Sequence, residues 1–104
     1  LSAQLLNFTT SEDNVTIWIR KNGTDVPATA GVVEVAPKHG TSPGAYIASW
    51  NYFLDLLATD YVQLVWTSDT GNTVLGSYPA GTSPVHPVSP GIIFTCQFVS
   101  ALPA

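Results

Sequence analysis

The sequence predicts an all-β fold in which short antiparallel strands form a sandwich or a barrel. Eight prolines and eight glycines divide the 104 residues into short segments, and both residue types interrupt helices. The segments between them are rich in the β-branched and aromatic residues that favour strands. Turn-forming sequences follow these segments at a spacing of about ten residues, which is typical of antiparallel sandwiches and barrels.

Seven strands are predicted, each ending at a sequence that favours a turn. In chain order they span residues 1–8, 15–21, 32–36, 45–56, 61–68, 73–78 and 91–102. The turns contain SEDN, NGTD, PKHGTSPG, ATD, DTGN and PAGTSPVHPVSP, which are rich in Gly, Pro, Asn, Asp and Ser. The last of these, residues 79–90, contains four prolines. Since proline donates no backbone hydrogen bond, we expect an extended loop there and no sheet strand.

Alternation of apolar and polar residues assigns the faces of the strand at 15–21. Val15, Ile17 and Ile19 recur at every second position, so they share one face and are predicted to point into the core. Trp18 lies on the opposite face. The Asn-Gly pair that follows this strand is typical of a hairpin turn.

The strands at 45–56 and 91–102 are apolar on both faces. In the first of them, Trp50 falls on one face and Ile47 on the other. An antiparallel strand with one solvated face alternates apolar and polar residues, so we expect both faces of these strands to be covered. Cys96, the only cysteine, lies in the second strand and is predicted to be a buried, unreactive thiol.

The composition excludes some partners and favours others. Charged residues make up 10% of the chain, against about 25% in a typical domain, which predicts that a partner covers part of the uncharged surface. The net charge is −4 and the only cations are Arg20, Lys21 and Lys38. Three cations are too few to neutralise a nucleic acid or an anionic membrane surface. No run of about 18 apolar residues is present for membrane insertion.

The pattern of strands predicts unpaired sheet edges. The alternating stretch LSAQLLNF is already under way at Leu1, and an open set of strands leaves edges that need a neighbour. We therefore expect residues 1–104 to form a single β-sandwich domain that is incomplete at its N-terminus. On this interpretation the sequence is the C-terminal part of a longer chain.

Four stretches together carry a family resemblance. They are IWIRKNG at 17–23, ASWNYF at 48–53, LLATDYVQL at 56–64 and PVSPGIIFTCQF at 87–98. With the SAQ near the start, they resemble a family of bacteriophage virion proteins, chiefly fibre and other structural proteins from phages of aquatic bacteria. The resemblance spans essentially the whole chain. The same layout is similar, more remotely, to the jelly roll of C1q and tumour-necrosis-factor-like proteins.

The resemblance implies a ten-strand antiparallel jelly-roll sandwich that assembles as a tight homotrimer in a virion. It also implies several strands before the SAQ stretch, whereas Thr59 departs from the glycine of the remoter family. The strands that are apolar on both faces fit a sheet with one face on the core and one on a threefold axis. The subunit contact predicted in this way comprises Asn51, Phe53, Tyr61, Ile93, Gln97 and Val99, with the amides of Asn51 and Gln97 paired across it.

The sequence offers no recognisable catalytic or metal-binding set. His39 and His86 lie in separate loops rich in Gly and Pro, and the seven acidic residues are scattered along the sequence, with Glu12 and Asp13 adjacent. SEDN and SDTGN lack the spacing of a calcium loop. We therefore predict a non-enzymatic virion component without cofactor, either a fibre head or a capsid decoration, which contacts other virion proteins or a host receptor. An ion held by three copies of one histidine on the threefold axis is left open.

Carbohydrate binding is the alternative function. Exposed aromatic rings stack on sugars, and Trp18 is accompanied by Arg20 and Asn22, whose polar groups suit sugar hydroxyls. Tyr78 completes the predicted contact with host surface glycans. The opposing interpretation makes Trp18 a packing residue that is covered by the loop at 79–90 or by a neighbouring subunit.

Overall fold

The fold is all-β with antiparallel sheets, as predicted. The computed structural model describes residues 1–97, and these contain strands but no helix. The strands are β1 (Ser2–Asn7), β2 (Asp13–Lys21), β3 (Thr24–Asp25), β4 (Gly31–Val35), β5 (Gly44–Ser49), β6 (Val62–Ser68), β7 (Thr73–Leu75), β8 (Gly81–Thr82), β9 (Val85–His86) and β10 (Ile92–Ile93).

Two sheets are built around β1 and β2. In sheet 1, β1 pairs with β5 along one edge and with β7 and β10 in turn along the other. In sheet 2, β2 pairs with β6 along one edge and with β4 and β3 in turn along the other. The chain changes sheets between β1 and β2, β4 and β5, β5 and β6, and β6 and β7. This arrangement is consistent with a β-sandwich.

The core lies between the two sheets and is formed by alternate residues of the central strands. β1 contributes Ala3 and Leu5, and β2 contributes Val15 and Ile17, all of them buried. Ile19, the next inward residue of β2, is also fully buried. The predicted inward face of this strand is therefore confirmed. Burial of each of the larger side chains, those of leucine, valine and isoleucine, stabilises the fold by about 1.5–3 kcal/mol.

A buried carboxylate joins the two sheets. Asp13, at the start of β2, is 2% exposed. Its Oδ2 accepts a hydrogen bond from the Thr73 hydroxyl of β7 at 2.6 Å and another from the Ser68 hydroxyl. Its Oδ1 accepts the backbone N–H of Thr70 at 3.0 Å. Burial opposes ionisation of Asp13, but these hydrogen bonds outweigh it and lower its pKa to about 2.

A buried amide makes the reciprocal link. Asn7 of β1 is fully buried, and its Nδ2 donates to the carbonyls of Val35 in β4 at 3.3 Å and of Ser11 at 2.8 Å. Its Oδ1 accepts the backbone N–H of Thr9 at 3.0 Å. Asn7 pairs with Thr73 within sheet 1, just as Asp13 pairs with Val35 within sheet 2. The two links therefore lie side by side.

Three predicted strands are much shorter in the structure, and one of them is the strand predicted at 73–78, since β7 covers only Thr73–Leu75. The strand predicted at 45–56 ends at Ser49. The next residue, Trp50, still exchanges two backbone hydrogen bonds with Leu1, of 3.1 and 3.2 Å, and is the last residue of this segment to do so. The strand predicted at 91–102 is reduced to Ile92–Ile93, and residues 94–97 form no strand. A strand persists only where a neighbour pairs with it. The remainder of this prediction, 98–102, lies outside the described residues.

Two local predictions are wrong. Gly81–Thr82 and Val85–His86 pair with each other, so the proline-rich segment contains a small hairpin where a loop without strands was expected. None of its prolines lies within these strands, which leaves the donors of the hairpin intact. Cys96 is exposed, not buried, because it follows β10 in a segment that belongs to neither sheet.

Two turns use left-handed backbone conformations. Asn22 and Gly23 have φ of 50° and 82°, as a two-residue turn between hairpin strands requires, and this turn joins β2 to β3 as predicted. Thr59 has φ of 73°. A β-branched residue such as threonine is strained in this conformation, which glycine adopts freely. The remoter family of the resemblance has glycine at this position.

Replacing Thr59 with glycine is expected to stabilise the protein. Relief of the strain in the left-handed conformation raises the free energy of unfolding by about 1–2 kcal/mol. The greater freedom of glycine in the unfolded chain lowers it by about 0.5–1 kcal/mol. The melting temperature should therefore rise by about 4 °C. Thr10→Gly, at an exposed position with no positive φ, is the matched control and should lower it. A decrease of similar size in both variants would contradict the assignment of strain to Thr59.

Candidate functional site

One face of sheet 1 points away from the core and carries no charge. Residues directly opposite each other in an antiparallel sheet share a face, so the pairings of β1 identify the whole surface. We name it the sheet 1 outer face, and it consists of Ser2, Gln4 and Leu6 of β1, Ala45, Ile47 and Ser49 of β5, Val74 of β7 and Ile93 of β10. None of these eight residues is ionisable.

Large apolar side chains on the sheet 1 outer face are open to solvent. Ile47 is 68% exposed and Ile93 is 51% exposed, with Val74 beside them. Gln4, the amide on this face, is satisfied internally: its Nε2 donates to the Gly76 carbonyl at 2.8 Å, and its Oε1 accepts from a serine hydroxyl at 3.5 Å. The face can therefore be covered without leaving its amide unsatisfied.

The outer face of sheet 2 is different in character. It carries Asn14, Thr16, Trp18, Arg20, Asp25, Val32, Glu34, Gln63, Val65 and Thr67, a mixture in which most residues are polar or charged. Such a mixture suits contact with water. The two outer faces of the sandwich thus differ, and only that of sheet 1 has the apolar character of a surface to be covered.

The predicted subunit contact is only partly contiguous. Ile93 lies on the sheet 1 outer face. Asn51, Phe53 and Gln97 line one cavity elsewhere, and the Phe53 side chain is 85% exposed. Tyr61 lies at the end of sheet 2, where it exchanges hydrogen bonds with the Asn22 turn. Val99 lies outside the described residues.

The cavity has a volume of about 370 Å³, and its lining mixes apolar with polar groups. Besides the predicted contact residues, it is lined by Ile19 and Val62 of sheet 2 and by Trp50 and Tyr52. Within the described part of the chain the Tyr52 hydroxyl is buried without a hydrogen-bond partner, and burial raises the pKa of Tyr52.

Two of the four residues predicted to contact glycans come together. Asp25 Oδ1 accepts hydrogen bonds from Trp18 Nε1 and from Arg20 Nε, each at 2.9 Å, and these bonds lower the pKa of Asp25. The half-buried Trp18 is thus held by Asp25. Asn22 instead bonds to Asp60 at 2.8 Å.

Tyr78 lies apart from the Trp18 cluster. It forms an isolated bridge with Ser89, and their backbone groups exchange two hydrogen bonds of 2.9 Å at the base of the proline-rich segment. The structure therefore reduces the predicted four-residue contact to Trp18 and Arg20. Asp25, which the sequence suggested only as a turn residue, joins them.

The ionisable side chains of residues 1–97 form no group of three or more that could hold a metal ion. His39 bridges to Ser42 within its own loop, and His86 belongs to the β8–β9 hairpin. Glu12 lies close to Glu34, and the hydrogen bond and charge of its carboxyl raise the pKa of Glu34. In the same part of the chain, no helix is long and apolar enough to cross a membrane.

Comparisons with family models, with curated proteins and with solved structures found no significant match. The function is therefore argued from the chain itself. Among its surfaces, the sheet 1 outer face departs furthest from an ordinary solvated surface, because it joins exposed aliphatic side chains with a lack of charge.

Proposed function

We propose that this protein is a non-enzymatic structural module of a bacteriophage virion, a jelly-roll domain that assembles as a trimer in a fibre head or a capsid decoration. The observation that carries the proposal is the uncharged sheet 1 outer face with Ile47, Val74 and Ile93 exposed. The resemblance of the sequence to virion structural proteins supplies the threefold symmetry and the setting in a phage particle.

The contrast between the outer faces supports an oriented assembly. In the trimer, the sheet 1 outer face turns toward the threefold axis, and the polar outer face of sheet 2 turns toward solvent and other virion proteins. Three copies of any weak surface site, including the cluster of Trp18, Arg20 and Asp25, then act together through multivalency. Attachment to a host surface does not require a deep pocket in such an assembly.

The proposed presence of this protein in phage particles is tested by mass spectrometry of particles purified by density gradient. We expect the chain in intact virions at a copy number divisible by three, because the trimer is the unit that is incorporated. The lysate of infected cells, freed of particles, is the matched control. Finding the chain in that lysate but not in particles would contradict the proposed function.

A further inference from the structure

The turn between β2 and β3 contains the one Asn-Gly pair of the sequence, Asn22-Gly23. Asparagine is a chemically labile residue, and glycine, which lacks a Cβ, lets its backbone nitrogen be approached closely. Apart from its neighbours in the chain, only the Tyr61 hydroxyl, at 3.7 Å, comes near the position that a Cβ of Gly23 would take among the described residues. The Gly23 nitrogen is therefore sterically open to the Asn22 side chain.

This pair can deamidate without an enzyme. The Gly23 nitrogen attacks the side-chain carbon Cγ of Asn22, so that a new N–Cγ bond closes a succinimide ring and the Cγ–Nδ2 bond breaks. The amide nitrogen leaves as ammonia and takes the proton of the Gly23 N–H. Water then opens the ring at either carbonyl, which yields aspartate or isoaspartate at position 22. Water is the co-reactant, and no oxidation or reduction takes place.

In the folded protein, the segment before β6 holds both ends of the Asn22 amide. Its Nδ2 donates to Asp60 Oδ1 at 2.8 Å, and its Oδ1 accepts the Tyr61 N–H at 3.0 Å. The Leu57 N–H and the Asn22 amide lower the pKa of Asp60, so the carboxylate is charged at neutral pH and its hydrogen bond to the amide is charge-assisted. Attack on Cγ makes the flat amide tetrahedral, which displaces its oxygen and its nitrogen from these partners.

We propose that Asn22-Gly23 is a site of spontaneous deamidation and that Asp60 restrains the reaction in the folded protein. The other four asparagines precede phenylalanine, valine, tyrosine and threonine, whose side chains hinder the same attack, so the modification is confined to position 22. The inference goes beyond the proposed function and does not depend on it. It rests on contacts within a single chain.

Deamidation removes what the Asn22 side chain contributes to the fold. Either product carries a carboxylate in place of the amide that donated to Asp60, so a hydrogen bond is replaced by repulsion between like charges. Isoaspartate also adds a methylene to the main chain of a turn whose φ angles at Asn22 and Gly23, 50° and 82°, suit a two-residue connection. We expect the modified turn to detach from the segment before β6. Asp25, which follows the turn and holds Trp18, then loses its fixed position.

Peptide mapping by mass spectrometry tests the role of Asp60. Wild type and variants are incubated at neutral pH, and aspartate and isoaspartate at position 22 are quantified over time. We expect Asp60→Ala to deamidate about tenfold faster, the factor to which the loss of one charge-assisted hydrogen bond corresponds. The matched control is Asp55→Ala. Asp55 meets the turn through its backbone carbonyl, which accepts from Lys21, so this variant keeps the contact and should react at the wild-type rate.

A second measurement uses the unaltered chain, because Asp60→Ala also releases the Leu57 N–H. Denaturant unfolds the wild type and frees Asn22, so position 22 should deamidate at least about tenfold faster than in the folded protein. Asn51, which is exposed in the folded protein, is the internal control and should stay intact in both states. Equal rates at position 22 in folded and unfolded wild type would overturn the proposal, as would a wild-type rate in Asp60→Ala. Deamidation of Asn51 as fast as that of Asn22 would overturn the assignment of the site.

Discussion

Replacing Asp13 with alanine is expected to lower the free energy of unfolding by about 2–4 kcal/mol, because the substitution leaves buried donors without an acceptor. The hydroxyls of Ser68 and Thr73 and the N–H of Thr70 all donate to this carboxylate. A loss of this size is a large part of the stability of a typical domain, which is about 5–15 kcal/mol. Urea denaturation monitored by tryptophan fluorescence measures it.

The control for Asp13 is an aspartate whose side chain is exposed and makes no buried contacts. Asp69 is exposed, so Asp69→Asn should change stability by no more than about 0.5 kcal/mol. Equal effects of Asp13→Asn and Asp69→Asn would show that the link between the sheets contributes nothing. Asp13→Asn also keeps the shape of the side chain, which separates the loss of charge from the loss of packing.

The same carboxylate gives stability a defined pH dependence. The pKa of Asp13 is lowered to about 2 in the folded protein, so its contribution is fully present above its ordinary pKa of about 4. It is lost as the pH falls from about 4 toward 2, and it amounts to about 2 kcal/mol. The difference in stability between wild type and Asp13→Asn should narrow over that interval and stay constant from pH 5 to 7.

Replacing Ile47 with lysine is expected to abolish the proposed threefold contact. Ile47 lies midway along β5, opposite Gln4 of the central strand β1, and is 68% exposed, so the monomer tolerates the substitution. In the trimer the new ammonium group would be buried without a partner, which costs several kcal/mol per subunit. Light scattering after size exclusion should show a threefold loss of mass relative to the wild type.

Val32 provides the matched control for Ile47. Val32 is also a β-strand residue on an outer face and is 64% exposed, but it belongs to sheet 2. Val32→Lys should therefore leave the assembly unchanged. Dissociation caused equally by both substitutions would mean that added charge, and not the position on sheet 1, is responsible.

Local patterns in the sequence predicted the local parts of the fold. The inward face of Val15, Ile17 and Ile19 follows from a period of two, and the turn at Asn22 and Gly23 follows from its residue types. Neither depends on distant parts of the chain. These predictions are confirmed by the burial of the three apolar residues and by the two positive φ angles.

Features that depend on distant contacts were not predictable from one sequence. Asp13 meets Thr73 across 60 positions, and Asn7 meets Val35 across 28. Nothing near Asp13 in the sequence SEDN distinguishes it from an ordinary turn residue. The end of β5 at Ser49 likewise depends on how far β1 pairs with it, because apolar alternation alone continues to residue 56.

In the candidate site, too, features set by the local sequence were predictable and features set by distant contacts were not. Apolar residues on both faces of the strand near Ile47 indicated a covered surface, and the structure exposes that residue on an uncharged face. The sequence could not indicate that Tyr61 sits beside Asn22 on sheet 2, since the sheet to which a strand belongs is set by long-range pairing. Asp25 joins Trp18 for the same reason, through the pairing of β3 with β2.

The mass of the wild-type chain in solution tests the central claim most directly. One chain has a mass of 11.0 kDa. Light scattering over a series of protein concentrations should give a particle whose number of chains is a multiple of three, and Ile47→Lys should remove that factor of three. A mass of one chain at every concentration, in the wild type as in the variant, would contradict the assignment of the sheet 1 outer face as a subunit contact.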